Sequence, residues 1–136
     1  MAKKNIWTIR FIKFSKKKFY KTGFLTGFTI RKREHARQLV ENRLSYINKI
    51  YKFKINRVAI KNQKTRWGSC SSKGNLNFNY KIIYLKPALA DYLIVHELCH
   101  LGQMNHSKKF WALVEKTVPD YRRINKELRR IPVKFI

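Results

Sequence analysis

Acidic residues are scarce in this sequence: seven Asp and Glu stand against 32 Lys and Arg, a formal net charge of +25. Cysteine is scarcer still, and nowhere do eighteen apolar residues follow one another. The last absence excludes a membrane-spanning helix. The two cysteines, Cys70 and Cys99, lack the number and spacing of a disulfide framework, so a reducing cytoplasm is the expected setting. The opening MAKKNIWTIRFIKF has neither an uninterrupted apolar core nor a small-residue cleavage site, which argues against secretion. Its Arg/Lys-rich, acid-free character is shared with organelle transit peptides, but its alternating aromatics read as strands.

The shortage of acid has two readings. A charge this large attracts polyanions through counterion release, which makes DNA or RNA a natural neighbour. A biased genome that favours lysine codons yields the same composition without any such partner. A disordered basic tail is excluded, because 44% hydrophobic and 14% aromatic residues can bury a core. The length of 136 residues suits one domain, 1–136.

Within it, residues 1–33 form a basic, strand-like N-terminal segment with eleven Lys and Arg and no acid. Trp7, Ile9 and Phe11 alternate with Thr8 and Arg10. Phe19 to Ile30, containing Gly23 and Gly27, reads as the second arm of a hairpin. From Glu34 the period changes: Val40, Leu44, Ile47 and Tyr51 mark the buried face of a helix of about five turns. Ile55, Val58 and Ile60 suggest a short strand. TRWGSCS and NLNFNYKII flank Lys73-Gly74, the best hairpin in the chain, with Leu76, Phe78 and Tyr80 on one face and Asn75, Asn77 and Asn79 on the other. Pro87 fits a first helical turn, Ala88 to Leu101 is helix-compatible, and Gly102 stands where that helix stops. Ser107 is a plausible N-cap for a helix carrying Phe110, Trp111, Val114 and Val118. A last helix sets Tyr121, Ile124, Leu128 and Ile131 opposite Arg122, Arg123, Lys126, Arg129 and Arg130. No repeat or low-complexity linker interrupts this α+β pattern.

Three of the four histidines crowd into HELCHLGQMNH at 96–106. His96 and His100, four apart, project from one face of a helix, close enough to share a metal at roughly 2.0 Å per nitrogen. Glu97 is turned about 100° from His96, beside the metal without being a ligand, which is the place for a general base. A third ligand requires the chain to reverse after the helix, and Gly102 allows His106 to return. Glu115 is the second choice for that position. Cys99 points away and reads as a small buried apolar residue. His35, among Arg and Lys on another helix, reads as a solvated side chain. HExxH alone also occurs without zinc; the helix break and the third histidine raise its weight.

KNQKTRWGSCSSKGNLNFNYKIIYL at 61–85, DYLIVHELCHL at 91–101, and MNHSKKFW with VPDY between 104 and 121 together resemble the YgjP-like metallopeptidases, related to the SprT and Spartan group. The resemblance covers roughly 34–130. It implies a small zincin-like metallopeptidase domain, with helices packed on a short antiparallel sheet and an HExxH active-site helix. It also implies a zinc-dependent peptidase with His96, His100 and His106 as ligands and Glu97 as general acid/base toward a metal-activated water; the expected activity on protein is that of an endopeptidase. The histidine spacing equals that of metzincins, but their glycine falls where this chain has Gln103, and no later methionine supplies a Met-turn.

The RWGSC arm admits two readings: an edge strand that an extended peptide joins, or a purely structural hairpin with Trp67 in the core and Gly68 as a bulge. On the first, proline at Ser69 costs turnover more than folding. Tyr121 reads as core. The competing function is a basic nucleic-acid-binding module with structural zinc. An intact Glu97 and the lack of a fourth His or Cys at ligand spacing favour the enzyme. By analogy with the SprT and Spartan group, the basic surface can also recruit a peptidase to DNA-bound proteins; the expected partners are thus a protein or peptide substrate, DNA or RNA, and no membrane.

Overall fold

A computed structural model describes residues 27–136, so the basic hairpin read at the start of the chain lies, up to residue 26, outside the described residues. Helix α1 (Gly27–Tyr51) buries Ala36, Val40, Leu44 and Ile47, a stripe at helical spacing. It begins at Gly27 rather than Glu34, which corrects the strand reading for 27–30. The reason is visible at Phe28 and Ile30, which are 67% and 52% exposed and therefore form no buried strand face. Instead the Lys32 ammonium lies 3.9 Å from the Phe28 ring centre, an i,i+4 cation–π pair that helical geometry brings together. Past the helix, Lys52 takes a positive φ of 56°, and the Asn48 side chain braces the turn by bonding both the N–H and the C=O of Phe53.

The sheet has the order β1-β3-β2, from β1 (Arg57–Lys61), β2 (Gly68–Cys70) and β3 (Asn75–Asn79). Strands β2 and β3 form the expected antiparallel hairpin, with Gly74 at φ 79° in the turn. Strand β1 pairs with β3 in parallel, Val58 opposite Leu76 and Ile60 opposite Phe78, so the sheet is mixed rather than wholly antiparallel. Parallel pairing needs the chain to cross back, and here the crossing segment contains β2 itself. Gly68 is not a bulge: it pairs with Phe78 in continuous register. Leu76 and Phe78 are buried as their alternation requires, but Asn79 is buried too. Its amide donates to the carbonyls of Gln63 and Arg66 and its oxygen accepts from Lys81 N–H, which pins the loop before β2.

Helix α2 (Pro87–Cys99) is the spine of the molecule, with Leu89, Leu93, Ile94, Val95 and Leu98 among its buried residues. A helix apolar on nearly every side must be covered on every side. Helix α1 lies against it through a two-pronged Arg43–Asp91 ion pair at 2.7 and 2.8 Å. Regular helix stops at Cys99, where Gly102 and Gln103 N–H both close onto the Cys99 carbonyl. Gly102 therefore does its work in packing as well: a Cβ there would come within 2.8 Å of the Phe53 ring and 2.9 Å of Leu113. The Ser107 hydroxyl accepts from Phe110 N–H and starts α3 (Lys108–Glu115), and α4 (Tyr121–Arg129) buries Tyr121, Ile124 and Leu128. Trp67, partly buried, donates its indole N–H to the Ile131 carbonyl at 3.1 Å and ties the start of β2 to the end of α4. Among the described residues no helix is long and apolar enough to cross a membrane.

Candidate metal centre

The last turn of α2 and the reversal after it bring one nitrogen each of His96, His100 and His106 within 4.8 Å of one another. Nε2 of His96 and Nε2 of His106 are 3.2 Å apart. Two imidazoles on one tetrahedral zinc at roughly 2.0–2.1 Å have nitrogens about 3.3 Å apart, so this pair is already at ligand spacing. Burial is graded, from buried His100 through half-buried His96 to exposed His106, and the cluster opens to solvent at His106.

The rings are held by their neighbours. Phe110 stacks on His100 with centroids 4.5 Å apart, and Trp111 stacks on His106 at 5.7 Å. His100 Nδ1 lies 3.0 Å from the Gln103 carbonyl, which can only accept, so the proton is on Nδ1 and Nε2 keeps its lone pair. His96 Nδ1 lies 3.2 Å from the Tyr92 hydroxyl, which can fix the same tautomer by accepting. Burial, with the charges of His100, His106 and Arg129, pushes His96 down to about 3. His100 is lowered too, chiefly by burial. Neutral imidazoles with converging lone pairs suit a divalent cation.

Glu97 is 7% exposed, and burial pushes its carboxyl up to about 7. It lies under β2, where Gly68 permits the contact. A Cβ on Gly68 would stand 2.9 Å from Glu97 Cγ, 3.0 Å from the Asn77 carbonyl and 3.1 Å from Glu97 Oε1. The other candidates stay apart from the cluster. Glu115 is exposed and outside the group, as is His35. Cys99 is fully buried, and burial pushes its thiol up to about 11.

Two residues escaped the sequence reading. The sequence reads Gly68 as a bulge or as part of a docking edge, and only the packing of β2 on α2 reveals its contact with Glu97. Tyr92 carried a usable signal, since it precedes His96 by one helical i,i+4 step and lies on the same row as His96 and His100. Tyr92→Phe is expected to weaken zinc affinity by about 10- to 100-fold while the fold survives, measured by competition against a chromogenic chelator. Unchanged affinity would remove Tyr92 from the site.

The fold has counterparts in solved structures. The metallopeptidase zymogen abylysin of Pyrococcus abyssi superposes with a TM-score of 0.60 at 27% identity, over 65% of this chain and 90% of that one. The metallopeptidase zymogen jannalysin of Methanocaldococcus jannaschii gives 0.54 at 25%, over 70% and 94%. Together they define the class: a metallopeptidase with a small α+β, zincin-like fold. Residues 28–131 match the family model described as YgjP-like, metallopeptidase domain, and the chain belongs to that family. No curated protein matches it.

Proposed function

We propose that the chain is a zinc-dependent endopeptidase in which His96, His100 and His106 hold the metal and Glu97 is the general acid/base. The observation that carries this reading is the convergence of three imidazole nitrogens next to a buried carboxyl. When bound, zinc supplies Lewis acidity at this point. Glu97 accepts the proton of the attacking water and later gives it to the leaving amine. A carboxyl pushed toward neutrality by burial is suited to both transfers, and a cation beside it draws its pKa back down, which favours the basic form for the first.

Substrate enters along β2. In the antiparallel ladder Asn79 N–H bonds the Trp67 carbonyl and Ser71 N–H bonds the Asn75 carbonyl, so by alternation Ser69 also faces β3. The backbone groups of Gly68 and Cys70 then face the free edge, where no described strand pairs. An extended peptide joining that edge passes over Glu97 at Gly68. Proline at Ser69 therefore breaks the hairpin, and Cys70 is the better position for the docking test.

The experiment is digestion of an unfolded protein such as denatured casein. Internal cleavages, stopped by a chelator and restored by zinc, are expected. Cys70→Pro should lose most turnover, with Cys70→Ala close to wild type and the melting temperatures of both variants near it. Zinc-loaded protein that cleaves nothing would overturn the function. Equal turnover in Cys70→Pro and Cys70→Ala would overturn the docking edge alone.

A further inference from the structure

The exposed side of α4 carries a charge arrangement that the peptidase chemistry leaves unused. Arg122, Lys126 and Arg129 fall at i, i+4 and i+7, on one face, and Arg130 follows. With Trp111 and Tyr121 they line a cleft of about 620 Å³ in which no acidic side chain takes part. Two of the acids on and before α4 are engaged elsewhere: Asp120 pairs with Arg123, and Glu127 with Lys86 and Arg123. Among the described residues Lys126, Arg129 and Arg130 make no ion pair, and Arg122 donates to the Tyr121 hydroxyl at 3.3 Å with Glu115 facing it from α3.

The cleft lies beside the metal centre, and its lining residue Trp111 is the link between them. Trp111 stacks on His106, and Tyr121 stacks on Trp111 with centroids 4.9 Å apart, so a column of stacked rings runs from the third histidine to the cleft that the cations line. That path corresponds to about three residues of extended chain.

We infer that this cleft is a carboxylate subsite, which receives acidic side chains of the substrate peptide a few residues from the scissile bond. It rests on the peptidase reading and adds a substrate class to it: acidic, extended polypeptide. Cations spread over successive turns of a helix match carboxylates spread along a chain better than one terminal carboxylate. Single-stranded nucleic acid is the other polyanion to weigh. It binds by stacking bases on free aromatic faces, whereas Tyr121 is buried and Trp111 is engaged by the two rings stacked on it, His106 and Tyr121.

The test uses zinc-loaded full-length protein and two fluorescein-labelled pentadecapeptides with amidated C-termini, alike except that four Gln in one are Glu in the other. Anisotropy is read first and cleavage second. The Glu peptide should bind about tenfold more tightly at moderate salt. Lys126→Gln combined with Arg130→Gln should erase the difference without changing cleavage of the Gln peptide. Equal binding of the two peptides, or a preference that survives in the double variant, would overturn the subsite. So would a preference that appears only when the C-terminus is free, or displacement of the Glu peptide by a short single-stranded oligonucleotide whose own binding needs Lys126 and Arg130 and exceeds it at matched charge. Selective binding without cleavage of either peptide would uphold the subsite and count against the peptidase reading.

Discussion

Glu97→Gln should keep its metal and lose peptide hydrolysis by about 10²- to 10⁴-fold, the range that a positioned general acid/base supplies. The amide matches the carboxylate in shape, so the three histidines and the Gly68 contact are undisturbed. A second readout separates this from misfolding. The folded-state pKa of Glu97, about 7, lies above its ordinary 4.5, so the fold disfavours the ionised form. That penalty is absent below about pH 4.5, grows as pH rises, and is complete above about 7. The metal-free glutamine variant should therefore melt above metal-free wild type at pH 8 and level with it at pH 4. Wild-type turnover in Glu97→Gln would remove the residue from the chemistry.

Gly68→Ala should cost nearly as much for a different reason. The added methyl has nowhere to go between the Glu97 side chain and the Asn77 carbonyl, so β2 must lift or the carboxyl must turn away. Overpacking of this kind costs about 1–3 kcal/mol of stability. Displacement of a catalytic group by about an ångström costs on the order of 100-fold in rate. Zinc affinity should stay within a few-fold of wild type, because the atoms nearest the new methyl belong to Glu97 and Asn77 and not to the three histidines. A variant with full activity would mean that β2 does not position Glu97.

The parts of the fold that could be read from sequence are those with a local cause. The stripe from Val40 to Ile47, the Gly74 turn, the Ser107 cap and the Tyr121–Leu128 face each follow from residues within a few positions of one another. The same holds for the clustering of His96, His100 and His106, since helix spacing fixes the first two and the short reversal limits the third. Non-local features left no such trace. The parallel pairing of β1 with β3 is decided by burial of Val58 and Ile60 together with Leu76 and Phe78 in a core that no short window contains. Gly27 to Ile30 reads as strand because its aromatic and glycine content mimics one, whereas an exposed Phe28–Lys32 pair extends the helix. Gly68 against Glu97 and the α4 cleft beside Trp111 join residues far apart in the chain, and only packing discloses them.

The central claim is a metal held by three histidines, and metal content per chain tests it most directly. Elemental mass spectrometry should find close to one zinc per wild-type molecule, none in His106→Ala, and an undiminished amount in Glu115→Ala. Zinc retained by His106→Ala but lost from Glu115→Ala, or no metal in zinc-loaded wild type, would contradict the account.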